Sequence, residues 1–90
     1  MINLYLKLTG RVQGVGMRYF ISHLAHKYEL KGYVKNLSDG SVECVVEGKE
    51  ELIKEFFDKL KSSSPGVIEN ITKHESPYTK SFTNFEVRYF

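Results

Sequence analysis

Gly14, Gly16 and Arg18 stand close together in the run Gly10-Arg11-Val12-Gln13-Gly14-Val15-Gly16-Met17-Arg18. Glycines at this spacing permit a tight turn in which successive backbone N–H groups point into one small space. A planar guanidinium beside them can hold two oxygens of one anion at once. The chemistry on offer is capture of a tetrahedral oxyanion such as phosphate. Each residue also has a plainer reading. The glycines can serve the turn alone. Arg18 by itself reads as a solvated surface arginine. Asn36, just ahead of Ser38-Asp39-Gly40, reads as a turn-initiating residue.

The neighbouring patterns say what must position these groups. Leu4, Leu6 and Leu8 alternate and predict a strand over about 3–9. Met17, Phe20, Ile21, Leu24, Ala25 and Tyr28 predict an amphipathic helix over about 17–29. The glycine run therefore lies where a strand turns into a helix. The unsatisfied N–H groups and positive end of that helix face the same space. Lys31–Leu37 reads as a second strand, with Gly32 just past the helix where a left-handed cap is wanted. Ser38-Asp39-Gly40 is a hairpin turn, because Asp-Gly accepts positive φ. A third strand spans Ser41–Glu47.

A second helix carries Leu52, Ile53, Phe56, Phe57 and Leu60 on one face. Glu50 and Glu51 occupy its first turn, and Lys59 and Lys61 its last, as the helix dipole favours. Ser62–Gly66 ends it. Val67–Glu75 is a fourth strand, Ser76–Thr83 a polar loop, and Phe85–Tyr89 a final strand. The order βαββαβ plus a short C-terminal strand predicts an α+β, ferredoxin-like two-layer sandwich over residues 1–90. Its two helices lie on one face of a mainly antiparallel sheet. That fold serves many functions and decides none by itself.

Ninety residues suffice for one domain and no more. The net charge of +2 is spread along the chain with no Lys/Arg block, so charge alone points to no polyanionic partner. The single cysteine, Cys44, cannot form an internal disulfide, which fits a reducing, cytoplasmic setting. Met1–Thr9 alternates and is not read as a signal peptide. No run approaches transmembrane length. His23 and His26 are three apart on the first helix, but no cysteine or carboxylate pair completes a metal set, and no metal is expected. His74 reads as an exposed strand residue, Cys44 as core, and Arg11 as a surface residue.

Two segments together resemble the acylphosphatase family. Gly10–Arg18 is similar to its first signature. Gly32-Tyr33-Val34-Lys35-Asn36-Leu37-Ser38-Asp39-Gly40-Ser41-Val42, with Gly48 beyond, is similar to its second. Asn84–Tyr89 is similar to the family's ending. Met17 departs from the phenylalanine more common there, which affects packing more than chemistry. The resemblance implies metal-free, cofactor-free hydrolysis of small-molecule acyl phosphates to a carboxylate and inorganic phosphate. It implies phosphate binding by the backbone of Gln13, Gly14, Val15, Gly16, Met17 and Arg18, together with the Arg18 side chain. It assigns the attacking water to Asn36. Gln13 is expected to contribute its backbone and not its side chain. A monomer with no nucleic-acid or membrane partner is expected.

Two rivals share the fold. Lys31-Gly32-Tyr33 begins like a motif of RNA-binding sheets, but it stands on the second strand, and Lys35 falls where that motif wants an apolar residue. A non-catalytic anion-binding or regulatory module would keep Arg18. Such a module would have no use for Asn36.

Overall fold

The computed structural model describes residues 1–89. The elements are β1 (Ile2–Arg11), α1 (Met17–Lys27), β2 (Lys31–Asn36), β3 (Val42–Gly48), α2 (Glu50–Ser63), β4 (Val67–Pro77) and β5 (Phe85–Arg88). They form one five-stranded sheet in the order β4-β1-β3-β2-β5. Three strand pairs are antiparallel, while β2 and β5 run parallel. This is the expected sandwich.

Period-two alternation fixes the register. Leu4, Leu6 and Leu8 face inward and stand opposite Val46, Cys44 and Val42. A slip of one residue would put all of these in water. The helices close the layer with Met17, Ile21, Leu24 and Ala25 from α1 and Ile53, Phe56 and Leu60 from α2. Cys44 is fully buried, and burial pushes its thiol pKa up, so it is an unreactive core residue.

The turns differ in detail from expectation. Gly32 does not cap α1. That role falls to Glu29, held at φ +57. The Leu30 N–H donates to the Ala25 carbonyl at 2.9 Å and the Glu29 N–H to the His26 carbonyl at 3.2 Å, the paired bonds of a Schellman cap. Gly32 sits inside β2 at φ +140, where a Cβ would overlap the Val45 carbonyl oxygen. In the β2–β3 hairpin only Gly40 takes positive φ, while Asp39 does not. The Gly40 N–H donates to the Leu37 carbonyl, which makes a turn followed by a glycine bulge. β4 runs on to Pro77, taking in two residues expected to be loop.

One buried carboxylate ties down the segment between β4 and β5. Glu47 Oε2 accepts from Asn3 Nδ2 at 2.8 Å, from the Thr79 N–H at 2.9 Å and from the Thr79 hydroxyl. This anchors the approach to β5, which forms one wall of the cavity described below. Burial pushes the Glu47 carboxyl up, but the bonds from Asn3 and Thr79 outweigh it, and the net shift is down. A depressed folded pKa contributes stability that is present above the unfolded value of about 4.3 and lost as pH falls through the folded one. Glu47→Ala should therefore cost about 2 kcal/mol at pH 7, since it strands Asn3 and Thr79. Its Tm should fall by roughly 10 °C. Glu47→Gln should lose less stability than the wild type between pH 7 and pH 3. Thermal melts at both pH values check this, and equal acid losses in the two proteins would contradict it.

Candidate active site

β1 ends at Arg11, and the buried Val12 pins the start of the following loop to the core. Gly14 and Gly16 then take φ +73 and +85. A Cβ at either would meet nothing within 4 Å. Glycine is therefore required there by torsion and not by crowding, and the space above both residues is open. Gly16 is the N-cap of α1, and its carbonyl accepts the first helical bond, from the Phe20 N–H at 3.0 Å. The cap brings no side-chain bond, and the first turn of α1 carries no acidic residue. The N–H groups of that turn have no intrahelical acceptor. α2 differs, with Glu50 and Glu51 in its own first turn. Met17 is buried in the core and holds the start of α1 against the sheet.

Gly14, Gly16, Arg18 and Asn36 line one cavity, together with Val87 and Tyr89. Its volume of about 170 Å³ equals that of roughly five or six liquid waters. That is room for one phosphate-sized anion and little else. Arg18 is half-buried, and its guanidinium lies over the Tyr89 ring, 4.7 Å from the centroid. No ion pair among the described residues engages Arg18. Asn36 is the last residue of β2, set opposite Val42 across the hairpin.

The other residues singled out in the sequence fall elsewhere. The Gln13 side chain does more than expected: its Nε2 donates to the Leu37 carbonyl at 2.8 Å and to the Ser41 carbonyl at 2.9 Å. This crosslink joins the glycine loop to the hairpin that carries Asn36. Its partners lie 24 and 28 residues away, and nothing local in the sequence announces them. The Val15 side chain lies against Gly66 at the α2–β4 corner. Arg11 is exposed and does not line the cavity.

The hairpin beside Asn36 is stiffened at neutral pH. The Asp39 carboxylate accepts from the Ser41 hydroxyl and the Ser41 N–H and pairs with Lys7 at 3.1 Å. These contacts, the hydroxyl first, hold Asp39 well below the usual carboxylate range. His26 bonds the Ser22 carbonyl through Nδ1 at 2.7 Å, and its ring meets Phe85 edge-on. His74 is exposed on β4. Among the described residues, no three His, Cys, Asp or Glu side chains are grouped as a metal site. No described helix is long and apolar enough to cross a membrane. Tyr33, from the segment similar to an RNA-binding motif, donates its hydroxyl to Glu43 at 2.8 Å. Arg88 covers its ring at 4.0 Å.

Comparison with known proteins finds a family match and several similar chains. The acylphosphatase family model matches residues 4–87. A relative from Pseudothermotoga lettingae, described as an acylphosphatase, is 42% identical over 84 residues, covering 93% of this chain and 94% of its own. The crystal structure of acylphosphatase from Bacillus subtilis superposes with a TM-score of 0.93 at 38% identity, covering 99% of this chain and all of that one. The crystal structure of T. kodakarensis HypF matches with a TM-score of 0.88 at 38% identity, covering this whole chain but 12% of HypF.

Proposed function

The chain belongs to the acylphosphatase family, and from that premise we propose how its residues divide the hydrolysis of an acyl phosphate. The activity is that of the family: cleavage of the carboxyl–phosphate bond of a small-molecule acyl phosphate, releasing inorganic phosphate. In the proposed division, the backbone N–H groups of Gln13–Arg18 and the Arg18 fork hold the phosphate. Asn36 holds the attacking water. The water oxygen bonds to phosphorus as the phosphorus–oxygen bond to the carboxylate breaks. The water proton passes to a phosphate oxygen, because Asn36 cannot accept it. The products are a carboxylate and dihydrogen phosphate.

The chemistry asks little more of the protein. Carboxylate is a good leaving group, so no strong acid or base is needed. Positioning and stabilisation of charge on the equatorial oxygens carry the reaction, as in other phosphoryl transfers. The single observation that carries this reading is the meeting of Gly14, Gly16, Arg18 and Asn36 at one small cavity. All of them come from one copy of the chain, which supports action as a monomer. The buried, lone Cys44 supports a cytoplasmic setting. The Arg88 cover on Tyr33 speaks against base stacking there, and so against the RNA-binding rival. Asn36 at the cavity favours an enzyme over a silent anion-binding module.

Positive charge comes from Arg18 and the N–H groups, so the reaction should run without metal. Initial rates of benzoyl phosphate hydrolysis should be the same with and without EDTA. Complete loss with chelator, restored by a divalent ion, would contradict the metal-free reading.

A further inference from the structure

We infer that the shallow cavity between Val15, Tyr19, Phe20 and Pro65 is the acyl-group subsite, and that it selects uncharged apolar acyl groups, aromatic ones above all. The inference rests on the proposed seating of phosphate at Gly14, Gly16 and Arg18. Three observations carry it.

The first is continuity. This cavity and the phosphate-sized one share Gly16 and Tyr19. Nothing stands above Gly16, so the two spaces join across it. An acyl phosphate bound at the small cavity can run over Gly16 into the larger one, which holds about 510 Å³.

The second is direction. Attacking water and leaving carboxylate must stand roughly in line on opposite sides of phosphorus. Asn36 belongs to β2, and α1 packs against β2 and β5 on that flank. Ser63 and Pro65 belong to the α2–β4 corner, on the flank where α1 meets α2. The start of α1 lies between. Asn36 lines only the phosphate-sized cavity and Val15 and Pro65 only the larger one, so with water at Asn36 the larger cavity is the space left for the leaving group.

The third is chemistry. Among the described residues no lysine, arginine or carboxylate lines the larger cavity; its polar side chains are His23, Ser63 and the Tyr19 hydroxyl. Tyr19 lies 81% exposed at the junction. Folding leaves this large ring in water, where it can cover a flat apolar group at little entropic cost. A second carboxylate on the acyl chain would find no fixed cation there.

The test compares benzoyl phosphate with acetyl phosphate. Tyr19→Ser removes an exposed ring and should leave Tm unchanged. It should lower kcat/KM for benzoyl phosphate about tenfold, mostly through KM, because the contact is made equally in ground and transition states. For acetyl phosphate, which is too short to reach the cavity, the change should stay within about twofold. Ser63→Phe, which fills the cavity, should show the same selectivity. Competitive inhibition by inorganic phosphate should be unaltered in Ser63→Phe, because Ser63 lines only the larger cavity. Equal losses on both substrates, or no loss on either, would overturn the subsite. Failure of inorganic phosphate to compete in the wild type is a separate result, and it would overturn the phosphate seating beneath it.

Discussion

Arg18→Gln is expected to lower kcat/KM by about 10³-fold while leaving the fold intact. The loss has two parts. A charge-assisted hydrogen bond to the bound phosphate is worth about 1.5–3 kcal/mol. An arginine that meets charge developing on a transferring phosphoryl group adds more, since such residues supply about 10³ or more in rate. The side chain makes no bond to the rest of the described protein beyond its stacking on Tyr89, so thermal stability should barely change. Arg18→Lys is the sharper variant. It keeps the charge but loses the planar fork, and should remain impaired by about 10²-fold. Inorganic phosphate should inhibit the wild type competitively and both variants far more weakly. A kcat/KM near wild type in Arg18→Gln would remove Arg18 from the site.

Asn36→Ala should behave differently, with kcat down about 10²–10³-fold and phosphate affinity almost unchanged. Loss of one oriented donor to a transition state costs roughly 3–4 kcal/mol. An interaction made mainly in the transition state lowers kcat rather than binding. The competing explanation is that Asn36 only shapes the hairpin. The bonds that build the turn argue against it. They run between Leu37 and Ser41, Gly40 and Leu37, and Asp39 and Ser41, with Gln13 bracing from outside. None uses the Asn36 side chain. Thermal melting of the variant decides the matter. If activity falls only in step with stability, or if phosphate affinity falls as far as kcat, the water-positioning role is wrong.

The order of elements was legible because the apolar residues repeat cleanly. Leu4, Leu6 and Leu8 at period two, and Ile53, Phe56 and Leu60 at helical spacing, leave one sensible layering. The phosphate-sized cavity was legible because its parts are local: two glycines and an arginine within five residues. Asn36 was not legible from its own surroundings, which suit a turn equally well. It entered through resemblance to a family signature. What the sequence concealed has one cause, that tertiary contacts are invisible to local pattern. Gly32 reads as a helix cap until β3 is laid beside it and the Val45 carbonyl claims the space of a Cβ. Gln13 reads as a residue that offers its backbone, and the bonds of its side chain to Leu37 and Ser41 stay hidden until the hairpin arrives from across the sheet. Glu47 ends an alternating strand, and nothing nearby in sequence reveals that Thr79 will bind it.

The most direct test of the phosphate cradle is a titration of inorganic phosphate into 15N-labelled protein, followed at each backbone amide. The expected result is saturable shifts concentrated at the N–H groups of Gln13–Arg18, with a Kd equal to the inhibition constant of phosphate in the hydrolysis assay. In Arg18→Gln the shifts should need far more phosphate, while in Asn36→Ala they should match the wild type. Saturable shifts at another surface, or none at these amides while phosphate still competes with substrate, would contradict the cradle.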